Sequence, residues 1–345
     1  MSAETQQLTV GIIGLGRMGL RHVDVVKSLG MKVVGLADIN PDAIAAAKKD
    51  FDLTDAAGYT DPQQLIADVP MDGLVVSTTA PFHAEAVITA AKAGTKRILC
   101  EKPIGVSIDE GKAMIAACRA SGTLLAINHQ MRFMEQYTRI KEIVNSPELG
   151  GLASIVVSAS NFGLAMNGSH YFEMFRYMTG CNVDRLSAWF EAERLPNPRG
   201  PQFDDASGRL VAFNDAGQSF YLDYSAQAGW GIIVNYICRH GQVTVDELSG
   251  EYQVKSRRAE FRELPTSRYG MPVDTLRSQL QPADSVGPTR AVWQALLTGA
   301  DYPTGEDGLH ALKCLVAAHL SDRRGGAMIK LSDTAETTSE VFGWA

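Results

Sequence analysis

From Leu8 to Asp38 the chain reads LTVGIIGLGRMGLRHVDVVKSLGMKVVGLAD, and this stretch decides the fold. It opens on an apolar run, Leu8–Ile13, of the kind buried on both faces of a parallel sheet. The run enters Gly14-Leu15-Gly16-Arg17-Met18-Gly19; a helical stretch follows, and a second apolar run, Lys32–Ala37, ends on Asp38. Strand, G-x-G-x-x-G turn, helix and a second strand closing on an acid make a dinucleotide-binding βαβ unit. Gly14 permits the tight turn, Gly16 lets the backbone approach a pyrophosphate, and Gly19 lets the helix lie close to the sheet. Gly14, Leu15, Gly16, Arg17 and Met18 therefore form the expected phosphate-binding turn, where the helix aims its N–H groups and positive dipole end. Asp38 is placed to accept hydrogen bonds from the adenosine ribose. Its charge repels a 2′-phosphate, and Ile39 and Asn40 bring no cation to offset it, so the expected cofactor is NAD rather than NADP. An S-adenosylmethionine site, which uses a similar turn and acid, is the rival reading of this segment taken alone.

Outside this segment, composition sets bounds. The 345 residues are 45% hydrophobic and 21% charged, ordinary for a globular protein of two domains. A net charge of −7, with basic residues scattered, argues against nucleic acid as a partner. The first residues, Met-Ser-Ala-Glu-Thr-Gln-Gln, lack a signal-peptide pattern, and no apolar run approaches a membrane span. Cys100, Cys118, Cys181, Cys238 and Cys314 are odd in number and never spaced as C-x-x-C. Free thiols, no metal site and a cytoplasmic location are expected.

Through about residue 130, apolar runs at Lys32–Ala37, Gly73–Ser77, Arg97–Cys100 and Leu124–Ile127, with a short one at Ala57–Tyr59, alternate with helical segments. The fold class expected is α/β, an N-terminal doubly wound parallel sheet. Beyond Leu149-Gly150-Gly151 the pattern changes to β-type segments, Ser154–Ala159, Arg185–Glu191, Gly208–Phe213, Gln218–Ser225, Ile232–Arg239 and Gln242–Asp246. Turns at Asn214–Gly217 and Leu248–Glu251 and helices near Ser169–Thr179 and Gly308–His319 complete an α+β domain with a large, mostly antiparallel open sheet. Domains are expected at 1–130 (dinucleotide binding) and 131–345 (substrate binding and oligomerisation), with a polar tail from Asp333 that is loosely packed apart from Phe342 and Trp344.

Two further segments fall at carboxyl ends of parallel strands, where such sheets bind ligands: Thr79-Ala80-Pro81-Phe82-His83 and Cys100-Glu101-Lys102-Pro103. A lysine there is a credible proton carrier, since burial and a nearby oxidised nicotinamide both lower its pKa. The order of GLGRMG, Ala37-Asp38, the Thr79–His83 loop and Glu101-Lys102-Pro103 resembles the Gfo/Idh/MocA family, named for glucose–fructose oxidoreductase, inositol dehydrogenase and rhizopine catabolism. Ala90–Thr95 and Leu99–Pro103 are also close to the family's text. The resemblance is strong to residue 133, weak to Gly180, and returns near Ser321–Leu331.

The resemblance implies a Rossmann domain and an NAD-dependent dehydrogenase of a sugar, polyol or sugar derivative, paired into homodimers or homotetramers. It implies that Lys102 is catalytic, Glu101 a cofactor-side acid, and Pro103 preceded by a cis bond. Thr78, Thr79, Pro81 and His83 would line the nicotinamide ribose, and Arg132 would belong to the cofactor site. The family's second signature corresponds to Met166-Asn167-Gly168-Ser169-His170-Tyr171-Phe172-Glu173, which makes His170 catalytic. Met166 stands where an Asp is usual, so the proton relay is expected to rest on Lys102 and His170, with Asn167, Ser169 and Glu173 on the substrate side. The residues agree independently: His170 opens a helix after Gly168, and Asn167 and Ser169 carry donors suited to a polyol. Two other readings are carried beside this one. One is an NAD-retaining glycoside hydrolase acting by transient C3 oxidation, and the other is a catalytically weak ligand sensor, suggested by Met166.

Overall fold

The computed structural model describes residues 7–160, 163–193, 196–265 and 271–344. The chain forms two compact units. The first holds the residues up to Gln130 together with Ser285–Leu312 and the segment from Thr337; the second holds Met131–Asp284 and Lys313–Glu336. The expected division at 131–345 is thus corrected, because two late segments belong to the first unit.

The first unit alternates β1 (Thr9–Ile13), α1 (Arg17–Ser28), β2 (Lys32–Ala37), α2 (Pro41–Asp50), β3 (Ala57–Tyr59), α3 (Pro62–Asp68), β4 (Gly73–Val76), α4 (His83–Lys92), β5 (Arg97–Cys100), α5 (Ile108–Ser121) and β6 (Leu124–Ile127). The strands are parallel in the order β3-β2-β1-β4-β5-β6, the doubly wound Rossmann arrangement. Strand order reverses between β1 and β4, so the first crossover and the β4 loop flank one crevice at the carboxyl edge. Local chemistry sets the helix starts. Asn40 accepts from Asp42 N–H (3.0 Å) and Asp61 from Gln63 N–H (2.8 Å), each ahead of a proline at the first helical position. Ser107 caps α5, and Glu110 returns to the Val106 N–H at 3.0 Å.

The second unit contains α6 (Glu135–Val144), β7 (Leu152–Ala159), α7 (Ser169–Thr179), β8 (Val183–Phe190), β9 (Gly208–Asn214), β10 (Ser219–Tyr224), β11 (Ile232–Cys238), β12 (Gly241–Asp246), β13 (Glu251–Arg257) and β14 (Val273–Gln279). After the first unit's α8 (Val286–Thr298) and the long α9 (Gly305–Arg323), β15 (Ile329–Lys330) completes its sheet. The order is β14-β13-β12-β11-β7-β10-β9-β8-β15, antiparallel except for the parallel pair β7–β10. Strict burial alternation in β10 and β9 marks one covered face. Helix α7 packs there: Phe220 stacks on Phe175 with centroids 5.6 Å apart and meets Phe172 edge-on at 5.9 Å.

A buried carboxyl ties α6 and α7 to the strands. Glu247 accepts from Tyr171 Oη at 2.5 Å and from Tyr137 Oη, and its backbone carbonyl accepts from Gln136. Burial pushes its pKa up to about 7 against the lowering effect of the two phenols.

Helix α8 returns to the first sheet for a steric reason. A Cβ on Gly73 of β4 would lie 3.1 Å from the fully buried Trp293 ring, so glycine admits the indole to the sheet. Arg290 also donates to Ser28 Oγ of α1 (2.9 Å). The tail is held at Phe342 and Trp344, the two residues excepted from the expectation of loose packing, and at Thr338 as well. Phe342 and Trp344 are 5% and 2% exposed and stack at 4.6 Å. Three hydrogen bonds hold the segment: Asp109 N–H to Thr338 O (2.9 Å), Phe342 N–H to Val106 O (3.0 Å) and Trp344 Nε1 to Gly105 O (3.1 Å). The tail therefore straps the loop that follows Pro103. Trp344→Ala is expected to destabilise the protein by about 3–5 kcal/mol, the usual cost of emptying a buried indole site. Urea unfolding measures it, and a loss below about 1 kcal/mol would show the strap to be superficial.

All five cysteines are free thiols. Among the described residues, no helix is long and apolar enough to cross a membrane.

Candidate active site

The first unit carries the glycine turn. Gly14 has φ +86, and a Cβ there would lie 2.7 Å from the Ser77 backbone. A Cβ on Gly19 would lie 1.9 Å from Gly14 O, whereas one on Gly16 would meet nothing within 4 Å. Gly14 and Gly19 are thus required by close packing of β1, α1 and the β4 loop, and Gly16 leaves open space over the turn. Ser77 Oγ locks the packing by donating to Ile13 O (2.9 Å) and Gly14 O (2.8 Å). Helix α1 starts at Gly16 without a side-chain cap and without an acid in its first turn. Its N–H groups are therefore available to an anion. Leu15 is buried, so it contributes backbone rather than side chain, while Arg17 is exposed on the first helical turn and Met18 is half-buried there.

Asp38 is fixed beside this turn. Its Oδ2 accepts from Leu15 N–H (2.7 Å) and its Oδ1 from Asn40 N–H (2.9 Å). Each oxygen keeps a lone pair for a ribose hydroxyl. Next to it Ile39 is 88% exposed, an apolar surface at the strand end that sequence reading treated only as a missing cation. A cradle that a Cβ would fill, an uncapped helix start and an oriented carboxylate fit a dinucleotide with an unphosphorylated ribose.

At the ends of β4 and β5 the structure joins two predicted loops through His83. The ring is fully buried, with Nε2 3.1 Å from Thr78 O and Nδ1 3.0 Å from Pro103 O. His83 is thus a brace between loops. Thr78 Oγ1 is buried with no hydrogen-bond partner among the described residues. Thr79 precedes the 3-10 turn Ala80–Phe82, and Pro81 lies exposed on it.

Lys102, 7% exposed, is joined to Pro103 by a cis peptide bond, as the resemblance implied. Beside it Glu101 is held by two residues that sequence reading left out of the site. His22 Nε2 lies 2.9 Å from Glu101 Oε1, and Asn128 Nδ2 donates to the same oxygen at 2.8 Å. Burial pushes the Glu101 carboxyl up. Hydrogen bonding and charge from His22, the Asn128 amide and the Lys102 charge outweigh that and hold it at about 2. A signal was present: His22 shares the buried face of α1 with Gly19, Val23 and Val26, and a polar residue on such a face needs a partner.

In the second unit, the structure brings Arg132 and Glu173 together. Arg132 Nη1 lies 3.4 Å from Glu173 Oε1, and both are almost wholly buried. Arg176 adds a two-pronged contact to the same carboxylate at 2.7 and 2.8 Å. Arg132 also packs over Phe133 and Tyr177. These expected cofactor and substrate residues are engaged with one another. Ser169 is fully buried and donates to Ala165 O at 3.0 Å. His170 is 5% exposed at the start of α7, with Asn167 three residues before it. Tyr236 is buried beside Glu247. Among the described residues no cluster of His, Cys, Asp or Glu could hold a metal ion.

Comparison with known proteins follows the same division. Residues 8–129 match the family described as "Oxidoreductase family, NAD-binding Rossmann fold". The chain is 28% identical over 242 residues to the uncharacterized oxidoreductase YrbE of Bacillus subtilis, covering 66% of this chain and 70% of that protein. It is 26% identical over 195 residues to the myo-inositol 2-dehydrogenase of Thermotoga maritima, covering 52% of this chain and 58% of that one. An oxidoreductase from Agrobacterium radiobacter, solved with NAD+, L-tartaric acid and magnesium, superposes with a TM-score of 0.79 at 18% identity, over 95% of this chain and 99% of that one. Residues 8–129 thus match the Gfo/Idh/MocA oxidoreductase family in its NAD-binding Rossmann fold.

Proposed function

We propose that the protein is an NAD-dependent dehydrogenase of a cyclic polyol, sugar or sugar derivative, and that Lys102 and His170 handle the hydroxyl proton. Bound NAD supplies the hydride acceptor at nicotinamide C4. Lys102 takes the proton as the carbinol is oxidised and returns it in the reverse direction. His170 holds the same oxygen through its imidazole. The buried, negatively charged Glu101 keeps the lysine-bearing loop in register, and Thr78 offers its hydroxyl on the cofactor side. The observation that carries the proposal is the placement of Lys102. It is a nearly buried lysine at the carboxyl end of a parallel strand, on a loop that His83 braces to the end of the neighbouring strand. The substrate class is supported by the similarity to the Thermotoga maritima protein named myo-inositol 2-dehydrogenase.

An NADH-fluorescence screen over myo-inositol, scyllo-inositol, aldoses and nucleotide sugars tests the proposal. Steady NADH formation with one of these classes is expected; no turnover with any of them in either direction overturns it. Cofactor choice supplies a separate prediction. Asp38→Ala is expected to raise kcat/KM for NADP ~10- to 100-fold, since one repulsive charge at contact distance costs about 1–4 kcal/mol at a partly wet surface. Unchanged discrimination would remove Asp38 from the ribose site.

A further inference from the structure

The helix that carries Asn167, Ser169 and His170 does not start with α7. The chain turns at Gly163, with φ +72 and ψ 139, and residues 164–168 form a π turn that passes directly into Ser169–Thr179. Gly163 O accepts from both Asn167 N–H (3.1 Å) and Gly168 N–H (3.2 Å). A π turn inserts one residue into the helical count and so swings everything beyond it by about 100° relative to a regular helix. Where this turn sits therefore decides the direction in which His170 points.

The turn is held from far along the chain. Asp205, 40 residues beyond Ala165, accepts from Ala165 N–H through Oδ1 (2.8 Å) and from Met166 N–H through Oδ2 (2.7 Å). The next residue, Ala206, accepts from Leu164 N–H through its carbonyl at 2.9 Å. Three consecutive N–H groups at a helix start, which no earlier turn can serve, are thus tied to residues 205–206. Sterics enforce the pairing: a Cβ on Gly163 would lie 2.2 Å from Asp205 Oδ2, in a backbone conformation that already favours glycine.

The rest of α7 is anchored by other means. Tyr171 is bonded to Glu247, Phe172 and Phe175 lie against Phe220, and Glu173 is bonded to Arg132 and Arg176. These contacts fix residues 171–176. The turn before His170 is held by Asp205, by the backbone carbonyls of Ala206 and Gly163 and by the Ser169–Ala165 bond. Loss of the Asp205 carboxylate would therefore fray the turn while the fold survives.

We infer that Asp205 is the positioning residue of this site: it fixes the π turn that aims His170, and with it the polyol hydroxyl. The inference rests on the reading of His170 as the group that holds that hydroxyl. Asp205→Ala is expected to lower kcat/KM for myo-inositol ~100-fold, the scale of an ångström-sized misplacement. NADH affinity measured by fluorescence is expected to stay within about twofold, because the glycine turn and Asp38 belong to the other unit. Asp205→Asn, which retains one acceptor for two N–H groups, should recover only part of the loss, and Gly163→Ala should reproduce it.

A second measurement needs no substrate. In imidazole NMR spectra, with the His170 resonance assigned through His170→Gln, Asp205→Ala should shift and broaden His170 while the resonances of His22 and His83 keep their positions. An unmoved His170 signal overturns the inference, as does displacement of all three signals together with an early unfolding transition. If the wild-type protein oxidises no polyol, the proposed function fails, and the NMR comparison still decides the role of Asp205.

Discussion

Lys102→Ala is expected to lower kcat at least ~100-fold while NAD binding is retained. The size follows from the chemistry. A carbinol proton cannot leave unaided at neutral pH, and a positioned general base contributes about 10²- to 10⁴-fold. Retention of binding follows from the structure. The proposed cofactor cradle is Gly14, Gly16, Gly19 and the Asp38 carboxylate, which is held by the Leu15 and Asn40 N–H groups. Lys102→Met is the stricter variant, because it fills the same buried volume without a charge. Lys102→Arg keeps the charge and cannot release a proton at any working pH. If Lys102 is the base, all three variants fall together, and the acid limb of the kcat profile for oxidation, along which the base loses its proton, changes form. If its charge alone matters, the arginine variant keeps most of the activity. Near-normal turnover in Lys102→Met would remove the lysine from its role.

The parts that could be read in sequence are those in which one short segment contains its own reason. The β1–α1–β2 unit is legible because strand, glycine turn, helix and acid fall within some thirty residues. The helix cap at Asn40, ahead of Pro41, is legible for the same reason. Beyond such segments, the information becomes relational. Strand β14, VDTLRSQ, is exposed at every position, so no hydrophobic alternation reveals it. Trp293 and Trp344 resemble any other aromatic residues until the sheet at Gly73 and the loop at Gly105 exist to receive them.

The site divides in the same way. Glu101, Lys102 and His83 stand in readable loops, but the partner of Glu101 is an imidazole 79 positions away. Glu173, which has the spacing of a substrate residue, is engaged by Arg132 and Arg176. Sequence can name the acid; only the assembled packing shows which cation answers it. Asp205 is the strongest case, because nothing near it in the chain marks it as the cap of a helix 40 residues earlier.

Removal of the Glu101 carboxylate is expected to be strongly destabilising to the nucleotide-binding unit. Glu101→Ala would leave His22 fully buried and Asn128 fully buried without the oxygen that both use. Breaking a buried charged pair from one side costs about 3–5 kcal/mol, because the surviving partner stays desolvated. Glu101→Gln keeps the shape and one acceptor, so its loss should be about half as large.

The pH dependence separates charge from shape. In the fold the carboxyl sits at about 2, below the ordinary value of 4.5, so the folded state prefers the ionised form. The stabilisation is complete above pH 4.5 and is lost as pH falls toward 2, with an amplitude on the order of 3 kcal/mol. Urea titrations between pH 3 and pH 7 should therefore show wild-type stability falling on the acid side, with a flatter profile in Glu101→Gln over the same interval. Were the two profiles parallel, the Glu101 carboxylate would carry no differential charge energy, and its hold on the lysine loop would be one of shape alone.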